Sequence, residues 1–168
     1  MTGKILASVA ALSLLGGIAL ADQGEITRSI TDIAAGADRH DWDRVRSAFA
    51  DTVVSDYTSL WGGDPVTQAS DDLVAAWSNF LPGFDITQHM VTNHTVTMIS
   101  QTVATAEADF IATHRIDDQL WTLGGRYKYS LEPSEDRWLV TNLTMIALWE
   151  TGDRGLVGVA GERAAKAN

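Results

Sequence analysis

The sequence predicts an α+β fold, a cone of strongly curved antiparallel sheet capped by N-terminal helices. Three observations carry this. Helical periodicity is confined to the front of the chain and stops at Pro82-Gly83. Four long segments rich in Thr, Val and aromatic residues then follow Phe84 on short connections, which is the pattern of an antiparallel meander. Within the second of these, Ala104, Ala106, Ala108, Phe110, Ala112 and His114 alternate with Thr105, Glu107, Asp109, Thr113 and Arg115, so one face is buried and one is wet. Helices gathered on one face of a curved sheet leave a cone, whose mouth is a natural site for a small molecule.

The elements follow in order. Residues 1–21 read as a secretory signal: Lys4 gives a positive start, Ile5 to Leu20 carry no charge, and Ala19 and Ala21 supply the small-x-small cleavage pattern. The mature chain is therefore expected to be exported, periplasmic or secreted, with no stable membrane span after cleavage. Residues 25–38 form a helix with Ile26, Ile30, Ile33, Ala34 and Ala37 on one arc. Arg39-His40 is a joint, and Asp41 caps a second helix to Ala50, with Trp42, Val45, Ala48 and Phe49 inward. His40 with Asp41 and Asp43 reads as a solvated helix start and not as a metal site.

Val53 to Tyr57 is a strand, and Thr58 to Ala69, holding Gly62-Gly63-Asp64-Pro65, is mostly loop. Ser70 caps a third helix with Leu73, Val74, Trp77, Phe80 and Leu81 apolar. The meander strands are placed at 87–99, 103–116, 120–131 and 138–149, with turns at Ser100-Gln101, Asp117-Asp118 and Pro133 to Asp136. Residues 22–150 thus make one domain, and 151–168 a loose tail or short helix.

Composition excludes several functions. There is no cysteine, which removes disulfides, thiolate zinc sites and a cysteine nucleophile. Twelve Lys+Arg against 22 Asp+Glu give a net charge of −10, which repels phosphate backbones, so no nucleic-acid partner is expected. Six Trp offer flat apolar walls for a core or a pocket. No compact metal-ligand set is present, and no cofactor is expected.

Among the polar residues, His114 shares the inner face with small alanines that leave space. In the third meander strand Trp121, Leu123, Tyr127, Tyr129 and Leu131 face inward. In the first, His89 and His94 fall on opposite faces of a regular strand; the set with Met90, Val96 and Met98 is the more apolar and favours His94 inside, unless a bulge intervenes. Asp38 sits on the edge of the first helix's apolar arc at its C-terminal end, where the helix dipole opposes a carboxylate. As a structural residue Asp38 reads as a solvated loop carboxylate or a cap for the second helix; Asp41 fills the capping role better, which leaves Asp38 less explained.

The stretch AAGADRHDWDRVRSAFADTVVSDYTSL, with LPGFDITQHMVTNH, FIATHR, GGRYKYSL and RWLVTNLTMIALW, resembles the SnoaL-like branch of the nuclear-transport-factor-2-like superfamily over residues 24–150. Within it the chain is most similar to scytalone dehydratase and hexachlorocyclohexane dehydrochlorinase. The resemblance implies a cystatin-like α+β barrel and an Asp–His dyad, Asp38 with His89, inside the cone. It favours His89 over His94, against the parity reading. Tyr57 follows Asp38 by 19 positions and His114 follows His89 by 25, spacings that match a tyrosine and a second histidine of the dehydratase. Ala37 departs from the dehydratase, which has tyrosine there, and the dehydrochlorinase lacks a counterpart of His114.

The implied chemistry is metal-free proton abstraction by a lyase, dehydratase or isomerase. His89 would be the base, Asp38 its orienting partner, and Tyr57 and His114 donors toward developing negative charge. The expected partner is a small hydrophobic or aromatic molecule, and a homo-oligomer, dimer or trimer, is expected. The other reading is a non-catalytic ligand-binding or support subunit of the same fold.

Overall fold

The structure is a computed structural model that describes residues 5–167, with side chains from 22 to 166. Helix α1 (Ile5–Arg39) is followed by α2 (Trp42–Arg46), strand β1 (Phe49–Asp56), α3 (Thr58–Trp61), β2 (Val66–Ala69) and α4 (Ser70–Ser78). A 3-10 turn at Leu81–Gly83 leads to β3 (Ile86–Met98), β4 (Ala104–Ile116), β5 (Gln119–Pro133), β6 (Trp138–Gly152) and a closing helix α5 (Leu156–Ala167). Residues 1–4 of the expected signal lie outside the described residues. From Ile5 onward the backbone of α1 is one continuous helix that passes the expected cleavage point.

The six strands form one curved, unclosed sheet in the order β2-β1-β6-β5-β4-β3. β3 to β6 are the expected antiparallel meander. The sheet as a whole is mixed, because β1 runs parallel to β6. The second helix is shorter than expected. Asp41 caps it, accepting from the Arg44 amide at 3.2 Å, but the chain turns extended at Phe49, whose spacing from Val45 only imitated a helix face. The expected loop 58–69 holds a helical turn and β2, which pairs antiparallel with β1. Gly62 and Gly63 take positive φ (73° and 79°) and make this turn possible. Ser70 is not the cap of α4; Ala69 is. The buried Ser70 hydroxyl instead donates to the Ala50 carbonyl and ties α4 to β1.

The core lies between α1 and the concave sheet face. Ile26, Ile30, Ile33 and Ala37 recur at helical spacing and are buried against Leu123, Leu131, Val140 and Leu143. Burial alternates without interruption along β4 from Ala104 to Ile116, and along β5 from Trp121 to Leu131 except at Gly124, which the Trp149 ring covers on the convex face. Ser29, on the same helix, donates to the Trp138 carbonyl at 2.5 Å, and Asp32 pairs with Arg44 and Arg137. These contacts fix the rotation of α1 and therefore the direction in which its last turn points. The C-terminal segment is a helix with Leu156, Ala160 and Ala164 buried. Gly83 packs so closely on the Ala160 carbonyl that a Cβ there would sit 2.0 Å from its oxygen.

Candidate functional site

The concave face, α1, α3 and α4 enclose a cavity of about 240 Å³. Its wall is mainly apolar and aromatic, and Trp61, Trp77 and Trp121 are the tryptophans that line it. The polar groups on it are Tyr57, His89, His114, Tyr127 and Tyr129; no Lys or Arg is among the lining residues. Asp38 stands behind His89, next to the wall.

Asp38 is on the last turn of α1, and the start of β3 lies against it. Its Oδ1 is 2.7 Å from His89 Nδ1, its Oδ2 accepts the His89 backbone N–H at 2.7 Å, and Thr87 Oγ1 donates to Oδ1 at 3.0 Å. Burial works against ionisation of this carboxyl. The His89 ring, the His89 amide and the Thr87 hydroxyl outweigh it and hold Asp38 below the usual carboxylate range. The helix end that disfavours a carboxylate is thus offset by three donors from β3. An anionic Asp38 assigns the proton of His89 to Nδ1 and leaves the Nε2 lone pair free. Both side chains are mostly buried, with 16% and 15% of their surface exposed.

The geometry of β3 explains how His89 and His94 relate. The β3–β4 register shifts between Thr92 and Thr95, and Asn93 has φ 54°. This bulge inserts one residue and inverts the parity beyond it. Thr87, His89 and Val91 face inward before it; His94, Val96 and Met98 do so after it. Parity counted through the bulge therefore excluded His89, although both histidines lie on the concave side. Only His89 lines the cavity. His94 Nε2 is buried with no hydrogen-bond partner among the described residues, and burial lowers its pKa.

His114 is directly opposite Trp121 on β5 and is 5% exposed. Its ring packs on Phe84 and Trp121, each at 4.8 Å between centroids, and meets the His89 ring edge-on at 5.4 Å. Burial, aided by His89, pushes its pKa down to about 4, so it is neutral near pH 7. Its Nδ1 is buried without a partner among the described residues. Tyr57 begins α3 at the end of β1, and its ring stands edge-on to Trp77 at 6.5 Å. Burial raises its pKa well above the usual phenol value, which keeps it a neutral donor.

All four expected site residues therefore surround one cavity, Asp38 through its bond to His89. His40 is exposed and stacks on Trp42 at 5.6 Å between centroids, away from the cavity. Among the described residues no cluster of three or more His, Cys, Asp or Glu is placed to hold a metal ion. Sequence reasoning placed Tyr127 and Tyr129 inside, as aromatic wall, and did not count them among the polar site residues. Their alternation with Arg126 and Lys128 carried the signal, since two phenols on an inner face need partners for their hydroxyls.

A curved mixed sheet, capping helices and a deep apolar cavity define the cone fold of the nuclear-transport-factor-2-like superfamily. The profile of the SnoaL-like domain matches residues 19–144, and the chain belongs to that family. No curated protein matches the sequence. Among solved structures, a protein of Kribbella flavida is 26% identical, with a TM-score of 0.76 over 83% of this chain and 99% of its own. A candidate scytalone dehydratase of Novosphingobium aromaticivorans is 18% identical, with a TM-score of 0.69 over 80% of this chain and 89% of its own. A hexachlorocyclohexane dehydrochlorinase of Novosphingobium barchaimii is 18% identical, with a TM-score of 0.66 over 81% and 92%. At these identities the last two likenesses are likenesses of fold. Among the described residues no helix is long and apolar enough to cross a membrane.

Proposed function

We propose that the protein is a cofactor-independent lyase or isomerase that acts on a small cyclic molecule by proton abstraction. The observation that carries this is the bond between Asp38 and His89 at 2.7 Å, with the His89 ring on the wall of an apolar cavity. His89 Nε2 takes a proton from a carbon of the ring. In an elimination the C–H electron pair forms the new double bond and the bond to the leaving oxygen breaks. That oxygen takes up one proton, so water is lost and the imidazole returns to neutral. In an isomerisation the same proton is returned to another carbon. Asp38 holds the tautomer and stabilises the imidazolium. Tyr57 and neutral His114 face the developing negative charge as uncharged hydrogen-bonding groups.

The test is a panel of cyclic β-hydroxy ketones and halogenated analogues, assayed with wild type and His89→Ala. The expected result is turnover of at least one member and a fall of roughly 10²–10⁴-fold in the variant. Equal turnover by both proteins removes His89 as the base.

Self-association, which leaves the chemistry of the cavity unchanged, is supported by one feature of the convex sheet face. Met90 pairs with Ile111, Ile111 with Gly124, and Gly124 with Trp149. The three side chains are 53%, 43% and 47% exposed, and the Trp149 ring lies where a Cβ on Gly124 would be. We take this row as the surface through which two or three copies associate. Sedimentation of wild type beside Ile111→Asp checks it: a monomeric wild type removes the proposal. We also keep residues 1–21 as an export signal, supported by the charge pattern around the apolar run. N-terminal sequencing of protein recovered outside the cytoplasm should begin at Asp22.

A further inference from the structure

The cavity wall holds three phenols, and the proton chemistry proposed above uses only one of them. Tyr127 and Tyr129 are successive inward residues of β5. Tyr129 is paired with Leu143, and Tyr127 with Met145. On the other side of β6, Asp56 pairs with Thr144, so Tyr57 follows at the level of Met145. Tyr57 and Tyr127 therefore flank Met145 across the same row, and Tyr129 stands one inward step away.

The strand opposite is built to admit them: Ala108 faces Tyr127 and Ala106 faces Tyr129. The Tyr127 ring is fixed between Phe110, at 4.4 Å between centroids, and Tyr129, at 5.8 Å. All three phenols line the cavity. None of their hydroxyls bonds to another described residue: every side-chain hydrogen bond of the concave sheet that involves a hydroxyl belongs to a Ser or Thr. None of the three oxygens is among the fully enclosed unpartnered atoms of the described residues, so each opens on the cavity, and a molecule that fills it must replace the hydrogen bonds of the water it displaces. Rotation about the C–O bond lets each hydroxyl donate to, or accept from, a molecule in the cavity.

We infer that Tyr127 and Tyr129, with Tyr57, form an oxygen-binding subsite that selects an uncharged cyclic compound bearing a carbonyl or hydroxyl oxygen. This rests on the proposed use of the cavity and narrows its substrate class. A carboxylate or phosphate is disfavoured, because no Lys or Arg lines the wall and the Asp38 carboxylate lies directly behind His89. A polyhalogenated hydrocarbon is disfavoured for the opposite reason, since its weak acceptors leave three donors unpaid in an apolar cavity. The phenols themselves stay protonated: burial raises the pKa of each, and for Tyr127 the Asp38 charge adds to it. They are donors of one kind across the neutral range.

The test separates binding from turnover. Tryptophan fluorescence follows titration of the protein with 1-indanone, and with indane, the same carbon frame without the oxygen. The reporters are Trp61, Trp77 and Trp121 on the wall. Wild type should bind 1-indanone about ten-fold more tightly than indane, the size of one or two net hydrogen bonds. Tyr127→Phe and Tyr129→Phe keep the ring packing, and should each reduce that preference several-fold while leaving indane affinity unchanged. Equal affinity for the two ligands in wild type, no binding of 1-indanone, or an unaltered preference in both variants overturns the inference. The outcomes are distinct from those of the base. A preference that survives in a protein without turnover sinks the enzyme reading alone. Turnover without the preference sinks the subsite alone.

Discussion

The β3 wall and the β4–β5 wall of the cavity each present a histidine, and the two are supplied in opposite ways. On β3, His89 reaches a carboxylate that is itself held by three donors. That arrangement can take up a proton and stabilise the charge it creates. On β4, His114 is enclosed by Phe84 and Trp121 with its Nδ1 unpartnered, and burial drives it toward the neutral form. One imidazole is prepared for charge and its neighbour is denied it, with 5.4 Å between their ring centroids. A ring held by a carboxylate and a second ring kept neutral by burial can divide the roles of base and neutral hydrogen-bonding group. The difference originates in backbone geometry. The regular β4–β5 ladder leaves His114 among apolar neighbours, whereas β3 meets the polar end of α1.

The largest effect expected from breaking the contrast is at Asp38. Asp38→Asn keeps the shape but removes the charge that stabilises a His89 imidazolium, and its amide disturbs the tautomer. Turnover should fall roughly 10²–10⁴-fold, with ligand affinity nearly unchanged. Steady-state kinetics beside fluorescence titration reads both, and a turnover close to wild type would remove Asp38 from the dyad. Asp38 also leaves a mark on stability: because its folded pKa is lowered, its contribution is present above its ordinary value and fades as pH falls through the folded one.

The next effect concerns His114. An ordinary imidazole takes up its proton near pH 6.5, but the folded chain resists this until about 4. Between those values the unfolded chain binds the proton and the folded chain does not, so stability rises with pH through the window and is lost on acidification. The shift corresponds to about 3 kcal/mol for this buried group. Urea unfolding at pH 7 and pH 4.5 should show a smaller acid loss for His114→Phe than for wild type. Equal losses would mean that the ring is protonated at little cost, and the contrast between the walls would collapse.

The two walls also differ in how far they could be read from residues alone. Alternation is unbroken through β4 and departs in β5 only at Gly124, which Trp149 covers, so their inward faces, His114 included, followed from period two. The same rule failed on β3 because one residue at Asn93 inverts it, and Asn-His in a Thr-rich strand carries no strong mark of a bulge. Asp38 was legible as an anomaly, a carboxylate at the wrong end of a helix. Periodicity could not name its partner, because the α1–β3 contact is made between residues 51 positions apart; only the family resemblance pointed to His89. Phe49 was assigned to a helix because its apolar spacing suited one, while β1 is held by β2 and β6, neighbours that no local window contains. The tyrosines were legible as inward but not as a group, since their clustering with Tyr57 depends on the parallel pairing of β1 with β6.

The bulge can itself be tested. A left-handed φ of 54° suits Asn and Gly and opposes a branched side chain. Asn93→Val should therefore cost about 1–3 kcal/mol, or shift the register and turn His89 away from Asp38. Asn93→Gly should stay near wild type, although it loses the exposed bond from Asn93 Nδ2 to Asp109 at 2.8 Å. Thermal unfolding of both variants reads the cost, and turnover reads the orientation of His89. Equal behaviour of Val and Gly would show that the bulge is not what keeps both halves of β3 facing inward.

The smallest effect is expected at Thr87, one inward step from His89 on β3. Its hydroxyl donates to the same oxygen, Asp38 Oδ1, that accepts from His89 Nδ1. Thr87→Val preserves shape and β-propensity but removes one of three donors from a buried carboxylate. The expected cost is about 1–2 kcal/mol of stability, because a bond to a charged acceptor is worth more than a neutral one and the carboxylate keeps two others. The Asp38 pKa should rise toward its ordinary value, so the acid loss of stability should begin at higher pH in this variant. Thr87→Ser restores the hydroxyl and should recover most of both effects. If Val and Ser behave alike, the loss comes from packing at the α1–β3 contact. In that case the dyad is held by the backbone amide of His89 and the ring bond alone.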